Sequence, residues 1–154
     1  MGVSEVMTRH VEIMSPRHSI QEAARCMCDM DVGALPIGEN DRLVGMVTDR
    51  DITVRAVALG KGADTPLREV MSTDVCYCFE DEDVRNVATN MAYQQGRGMP
   101  VLHPDARPVG ILAIGDLAVS EDGSPHLYKI GQALAGISHP GGAHSQTDDR
   151  LNSH

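Results

Sequence analysis

The feature that most narrows the fold is an internal repeat. Val6-Met7-Thr8 returns as Val70-Met71-Ser72, 64 residues on. At that offset Ile20 aligns with Val84, Ala24 with Ala88, Met27 with Met91, and Leu35-Pro36-Ile37 with Met99-Pro100-Val101. One inserted residue then shifts the register. Beyond it, Val44-Gly45-Met46-Val47 aligns with Val109-Gly110-Ile111-Leu112, and Asp51-Ile52 with Asp116-Leu117. Chance similarity does not hold a register across most of a unit, so the chain is two copies of one supersecondary element. A unit this small cannot cover both faces of its own sheet and helices, whereas two packed together can.

Each copy reads as β-α-β-β-α. In copy one, residues 11–14 form a short strand stopped by Pro16. Ser19-x-x-Glu22 is a capping box that opens a helix. Ile20, Ala23, Ala24, Met27 and Met30 or Asp31 fall on or near one face of that helix, and Gly33 ends it. Residues 34–37 and 43–47 are strands of a hairpin turned at Glu39-Asn40-Asp41, and 49–59 is a helix closed by Gly60. Copy two repeats this, with a strand at 75–79 and Asp83 capping a helix from 84 to about 94. Strands follow at 99–102 and 109–114, then a short helix near Gly115.

The expected organisation is repeat one over 1–60, a linker over 61–69, repeat two over 70–119, and a distinct end over 120–154. There, Leu127, Ile130, Leu134 and Ile137 predict a short C-terminal helix, and the Gly-, Ser-, Asp- and His-rich remainder a mobile tail. The fold class is α/β in the α+β sense, with the tandem units packed as a pseudo-twofold pair.

Charge and composition remove several kinds of partner. A net charge of −9 with no run of Lys or Arg argues against direct nucleic-acid binding. Only 3% of residues are aromatic, with no Trp and one Phe, which argues against a stacking platform for single strands. The core must be aliphatic and Met-rich. No apolar stretch approaches membrane-spanning length and no charged-then-apolar signal opens the chain, so a cytoplasmic protein with no membrane partner is expected. The four Cys then read as free thiols. A small anion stays compatible with an acidic chain, because backbone N–H groups and one or two Arg can hold it.

The sharpest local feature is Gly45-Met-Val-Thr48-Asp-Arg-Asp51, where a strand gives way to a helix. The first N–H groups of that helix lack intrahelical partners, and Thr48 stands where an N-cap would. Asp51, an acceptor-only carboxylate in the first turn, suits the two hydroxyls of a ribose. The positive helix end and Arg55 suit a phosphate. The same residues also have a purely structural account: a cap, a dipole-complementing acid and an i, i+4 ion pair.

Set in the duplicated frame, the motifs resemble the cystathionine-β-synthase (CBS) domain family, whose members occur as tandem pairs. The resemblance covers about residues 5–119. It rests on Val6-Met7-Thr8, Gly33-Ala34-Leu35-Pro36-Ile37 and Gly45 to Asp51, and on Val70-Met71-Ser72, Met99-Pro100-Val101 and Gly110-Ile-Leu-Ala113-Ile-Gly-Asp116 in copy two. It implies two clefts that bind an adenine nucleotide (AMP, ADP, ATP or NAD, ahead of S-adenosylmethionine), a regulatory and non-enzymatic role, a homodimer, and an effector protein yet to be defined. Carried over, cleft one uses Thr48 and Asp51, with Gly33, Ala34 and Leu35 along the adenine and Thr8, Arg9 and His10 as a further wall. Arg97 and Arg55 are its phosphate candidates. Cleft two keeps Asp116, with Ser72, Thr73, Gly98 and Met99 as walls, but carries Ala113 in place of Thr48. One lost hydroxyl contact is worth about 1 kcal/mol, so cleft two is expected to bind more weakly.

The remaining reactive groups are less telling. Cys26 and Cys28 sit two apart on a helix and do not face each other, whereas Cys76 and Cys78 share a face of a strand. Cys78 replaces Met14 of copy one, which assigns it to packing. A thiol redox sensor or scaffold using Cys76 and Cys78 is the alternative function. No four ligands converge as a zinc site would need, and His126, His139, His144 and His154 read as solvated.

Overall fold

The protein is described here by a computed structural model, which defines residues 1–88, 98–113 and Asp116. The predicted C-terminal helix and tail, most of the second copy's first helix, the helix near Gly115, and Arg97 lie outside these residues.

Copy one builds as expected in its centre. Ser19 caps α1 (Ile20–Met30): its Oγ accepts from Glu22 N at 3.1 Å, and Glu22 Oε2 accepts from Ser19 N at 3.1 Å. α1 buries Ile20, Ala23, Cys26 and Met27. Ala24, expected on that face, is exposed, and Cys26 takes the place beside Met27. The helix ends earlier than Gly33, because Asp31 adopts the left-handed conformation with φ 53°. An Asp tolerates that region better than most side chains.

β2 (Ala34–Glu39) and β3 (Arg42–Thr48) form an antiparallel hairpin. Asn40 and Asp41 both have positive φ, as a two-residue turn between twisted strands requires. α2 (Asp49–Arg55) is shorter than the predicted helix, and Val57–Leu59 continues as a 3-10 turn up to Gly60. The expected strand at 11–14 reduces to one parallel bridge, Met14 to Ile37.

Copy two supplies the wider sheet. β1 (Thr8–Arg9), β4 (Cys78–Phe79), β5 (Gly98–Leu102) and β6 (Pro108–Ala113) lie in the order β1-β6-β5-β4. β4 is shorter than the predicted 75–79. Its parallel pairing of Cys78 with Val101 repeats the bridge of Met14 with Ile37. The antiparallel pairing of Thr8 with Ile111 repeats that of Ser72 with Met46. Even the irregularity is duplicated: register shifts fall between Ile37 and Gly38, and between Val101 and Leu102. The inserted residue is absorbed in the longer β5–β6 turn, where Ala106 has φ 75°.

The copies are joined by an exchange of their leading segments. The 3-10 turn Val3–Glu5 buries Val3 in the core of copy two, with Cys78, Val84, Val87, Val101 and Leu112. Its counterpart Leu67–Glu69 buries Leu67 in the core of copy one, with Ile20, Ala23, Leu35, Ile37 and Val47. The hydrogen bonds obey the same symmetry. Val3 N donates to Glu82 O and Ser4 N to Glu80 O, while Leu67 N donates to His18 O and Arg68 N to Pro16 O. The segment before Leu67 is held too: Thr65 is buried, and its carbonyl accepts from Ile20 N at 2.9 Å.

Candidate functional site

The β3–α2 junction assembles the candidate site of copy one. Thr48 is extended, at φ −116° and ψ 164°, and caps α2 with Oγ1 accepting from Asp51 N at 3.1 Å. Asp51 answers with Oδ2 accepting from Thr48 N at 3.0 Å, so the two side chains close a reciprocal capping box. This fixes the Asp51 carboxylate while using one of its roughly four acceptor directions. Its side chain is 15% exposed, and Arg55 Nε stands 3.8 Å from Oδ1.

Copy two repeats the carboxylate without the cap hydroxyl. Asp116 Oδ2 accepts from Ala113 N at 2.8 Å, the counterpart of the bond from Thr48 N. The Thr8 hydroxyl donates toward Asp116 Oδ1 and Oδ2, at 3.4 and 3.5 Å. This hydroxyl is the counterpart of Ser72 and meets the carboxylate, so it does not replace the Thr48 hydroxyl, which accepts from the Asp51 amide.

That contact corrects the sequence-based grouping of walls. Thr8 belongs with Asp116, not with Asp51, and Ser72 belongs with copy one, where it exchanges two backbone bonds of 2.9 Å with Met46. The cause is the exchange of leaders, which runs each Val-Met-Thr or Val-Met-Ser segment along the last strand of the opposite copy. Gly45 and Gly110 make room for it. A Cβ on Gly45 would lie 2.6 Å from Ser72 O, and one on Gly110 2.5 Å from Thr8 O. The glycine that opens each Gly-x-x-Thr/Ala-x-x-Asp string thus has a packing role that spacing alone did not reveal. Its signal was present as the matched offset of Gly45 and Gly110.

Other predicted wall residues divide. Gly98 of β5 faces Ala34 of β2: a Cβ at 98 would sit 3.4 Å from the Ala34 Cβ. Gly33 lies against Asp49, whose N–H donates to Gly33 O at 3.0 Å. Leu35 and Met99 are 0% and 3% exposed, so their side chains belong to the cores and not to a cleft. Thr73 is exposed beside a hollow of about 330 Å³ lined also by Arg42, Val44, Tyr77 and Leu102. Arg9 is turned to its own copy's leader, donating to Ser4 O at 3.1 Å, with Glu80 of copy two 3.9 Å away. Arg55, expected at a phosphate, instead donates through Nη1 to Val70 O and Met71 O at 3.3 and 3.4 Å.

The thiols do not form a site. Cys76 is exposed and Cys78 buried, so the pair does not share one environment as a common strand face would give. Burial and the Glu82 carboxylate push the Cys78 thiol up to about 12. Among the described residues no group of three or more His, Cys, Asp or Glu could hold a metal ion. No helix among them is long and apolar enough to cross a membrane.

Two like β-hairpins, each followed by a carboxylate that accepts from the amide three residues before it, define a tandem-repeat fold. The family model for the CBS domain matches residues 3–57 and again 67–120, and the chain belongs to the CBS-domain family. It is 40% identical over 138 residues to CBS domain-containing protein YhcV of Bacillus subtilis (strain 168), covering 90% of this chain and 96% of that one. Its fold is similar to the crystal structure of Hypoxic Response Protein I with two coordinated zinc ions, with a TM-score of 0.69 at 31% identity over 79% of this chain and all of that one. It is also similar to the CBS domain pair of protein MJ0100 in complex with 5′-methylthioadenosine and S-adenosyl-L-methionine, with a TM-score of 0.67 at 29% identity over 77% of this chain and 94% of that one.

Proposed function

We propose that this protein is a regulatory module that binds an adenosine-bearing ligand, with the Asp51 carboxylate holding the ribose diol in cleft one and Asp116 doing so in cleft two. The observation that carries this reading is the fixed Asp51 carboxylate, oriented by the capping box with acceptor directions left over. The ligands of MJ0100 support the class, since both carry adenosine. AMP, ADP, ATP and NAD present the same diol and are the first candidates; S-adenosylmethionine follows. Binding acts as a signal by biasing how the copies pack, because each cleft is walled by both of them.

Its output passes to an effector protein through a homodimer. Val54, Val57 and Leu59 are 41%, 64% and 68% exposed on α2 and the turn after it, an apolar strip placed beside cleft one and suited to a second copy. The reading is binding rather than catalysis, because the Asp51 carboxylate is held in a capping box as a hydrogen-bond acceptor.

Thermal unfolding with AMP, ADP, ATP, NAD and S-adenosylmethionine tests the reading. A ligand at a hundred times its dissociation constant adds about 2.7 kcal/mol. Asp51→Asn keeps an oxygen for the cap but loses the charge, and is expected to remove most of the cleft-one contribution. No shift with any of the five ligands in the wild type would overturn the reading.

A further inference from the structure

This inference rests on the reading of cleft one as a ligand site and concerns Arg55. α2 carries its guanidinium one turn beyond Asp51, with Nε 3.8 Å from Oδ1. Nη1 donates to Val70 O at 3.3 Å and Met71 O at 3.4 Å. Those carbonyls lie in the leader of copy two, just before Ser72, whose N–H and carbonyl pair with Met46 of β3. One planar, permanently charged fork therefore touches α2 and the leader together. Asp51 and Ser72 stand on these two elements, which are the facing walls of cleft one.

We propose that Arg55 is a positioning residue, a clasp that sets the gap between α2 and the copy-two leader, and not a ligand for phosphate. Four residues beyond Asp116 the sequence carries Ser120, which lacks the reach and the charge to do the same. The clasp is thus a property of cleft one, and it ties ligand binding there to the hold of one copy on the other.

The test compares adenosine, which has no phosphate, with AMP. Calorimetric titration of wild type, Arg55→Gln and Arg55→Lys is expected to show adenosine and AMP weakened by the same factor in the Gln variant. That factor should be on the order of threefold to tenfold, given a half-exposed charged donor. Lys keeps the charge without the fork and should fall between. A loss confined to AMP would make Arg55 a phosphate ligand and overturn the proposal, as would unchanged affinity for both. Amide exchange of the unliganded protein separates the clasp from the ligand reading. Arg55→Gln should speed exchange at Ser72 N and Met46 N while leaving Glu22 N unchanged. If the wild type binds neither compound, the function proposed above rests on ADP, ATP, NAD and S-adenosylmethionine, and exchange alone decides the clasp; unaltered protection at Ser72 and Met46 then overturns it.

Discussion

Met14 and Cys78 hold the same place in the two copies, 2% and 1% exposed, each bridged in parallel to Ile37 or Val101. A thiol there is core filling, and its chemistry shows only at high pH. Its folded pKa is raised to about 12 from 9.0. The stability it contributes is complete below pH 9.0 and is lost as pH climbs from there toward 12, because the unfolded chain ionises first. Urea unfolding across that range is expected to show a flatter alkaline limb for Cys78→Val than for the wild type. Equal slopes would mean that the thiol ionises as freely folded as unfolded. The match of Cys78 to Met14 was legible from the repeat. The different exposure of Cys76 and Cys78 was not, because β4 starts only at Cys78 and the shared-face rule needs a strand that reaches both.

Helix beginnings were readable and helix ends less so. Ser19 with Glu22 closes a capping box, and Thr48 caps α2 as its position promised; both are side-chain chemistry visible in four residues. Ser19→Ala is expected to cost about 1 kcal/mol of stability in chemical denaturation and leave ligand affinity alone. Thr48→Ala makes the junction resemble Ala113. It should cost a similar amount, about 1 kcal/mol, while the bond from residue 48 N to Asp51 persists and binding is reduced rather than abolished. Loss of all binding would assign the hydroxyl a direct ligand role. The C-terminal ends depend on backbone conformation. Asp31 turns left-handed two residues before Gly33, and α2 tightens to a 3-10 turn after Arg55. Neither choice leaves a strong mark in residue type.

For the whole molecule the exchanged leaders make copy one's core depend on a residue of copy two. Leu67, 0% exposed, packs among the side chains of α1, β2 and β3. Leu67→Ala is expected to cost about 2–5 kcal/mol and to raise amide exchange in α1 before it does so in β5 and β6. The reverse order would place the leader in its own copy. At the crossing itself, Gly110→Ala forces a methyl to within 2.5 Å of Thr8 O. Urea unfolding should register about 1–3 kcal/mol of destabilisation, the usual cost of overpacking.

The amino-acid sequence by itself determined that there are two units, the order of their main elements, the caps Ser19 and Thr48, and the matched carboxylates Asp51 and Asp116. These follow from local periodicity and from the fixed offset between copies. Only the tertiary structure decided which residues meet across the copies: Thr8 with Asp116, Ser72 with the strand that leads to Asp51, and Arg55 with the carbonyls of Val70 and Met71. Two like units can pair with their leaders kept or exchanged without altering one local propensity. The choice appears only in long-range packing, where Val3 and Leu67 find their cores and Gly45 and Gly110 let the crossing chains through.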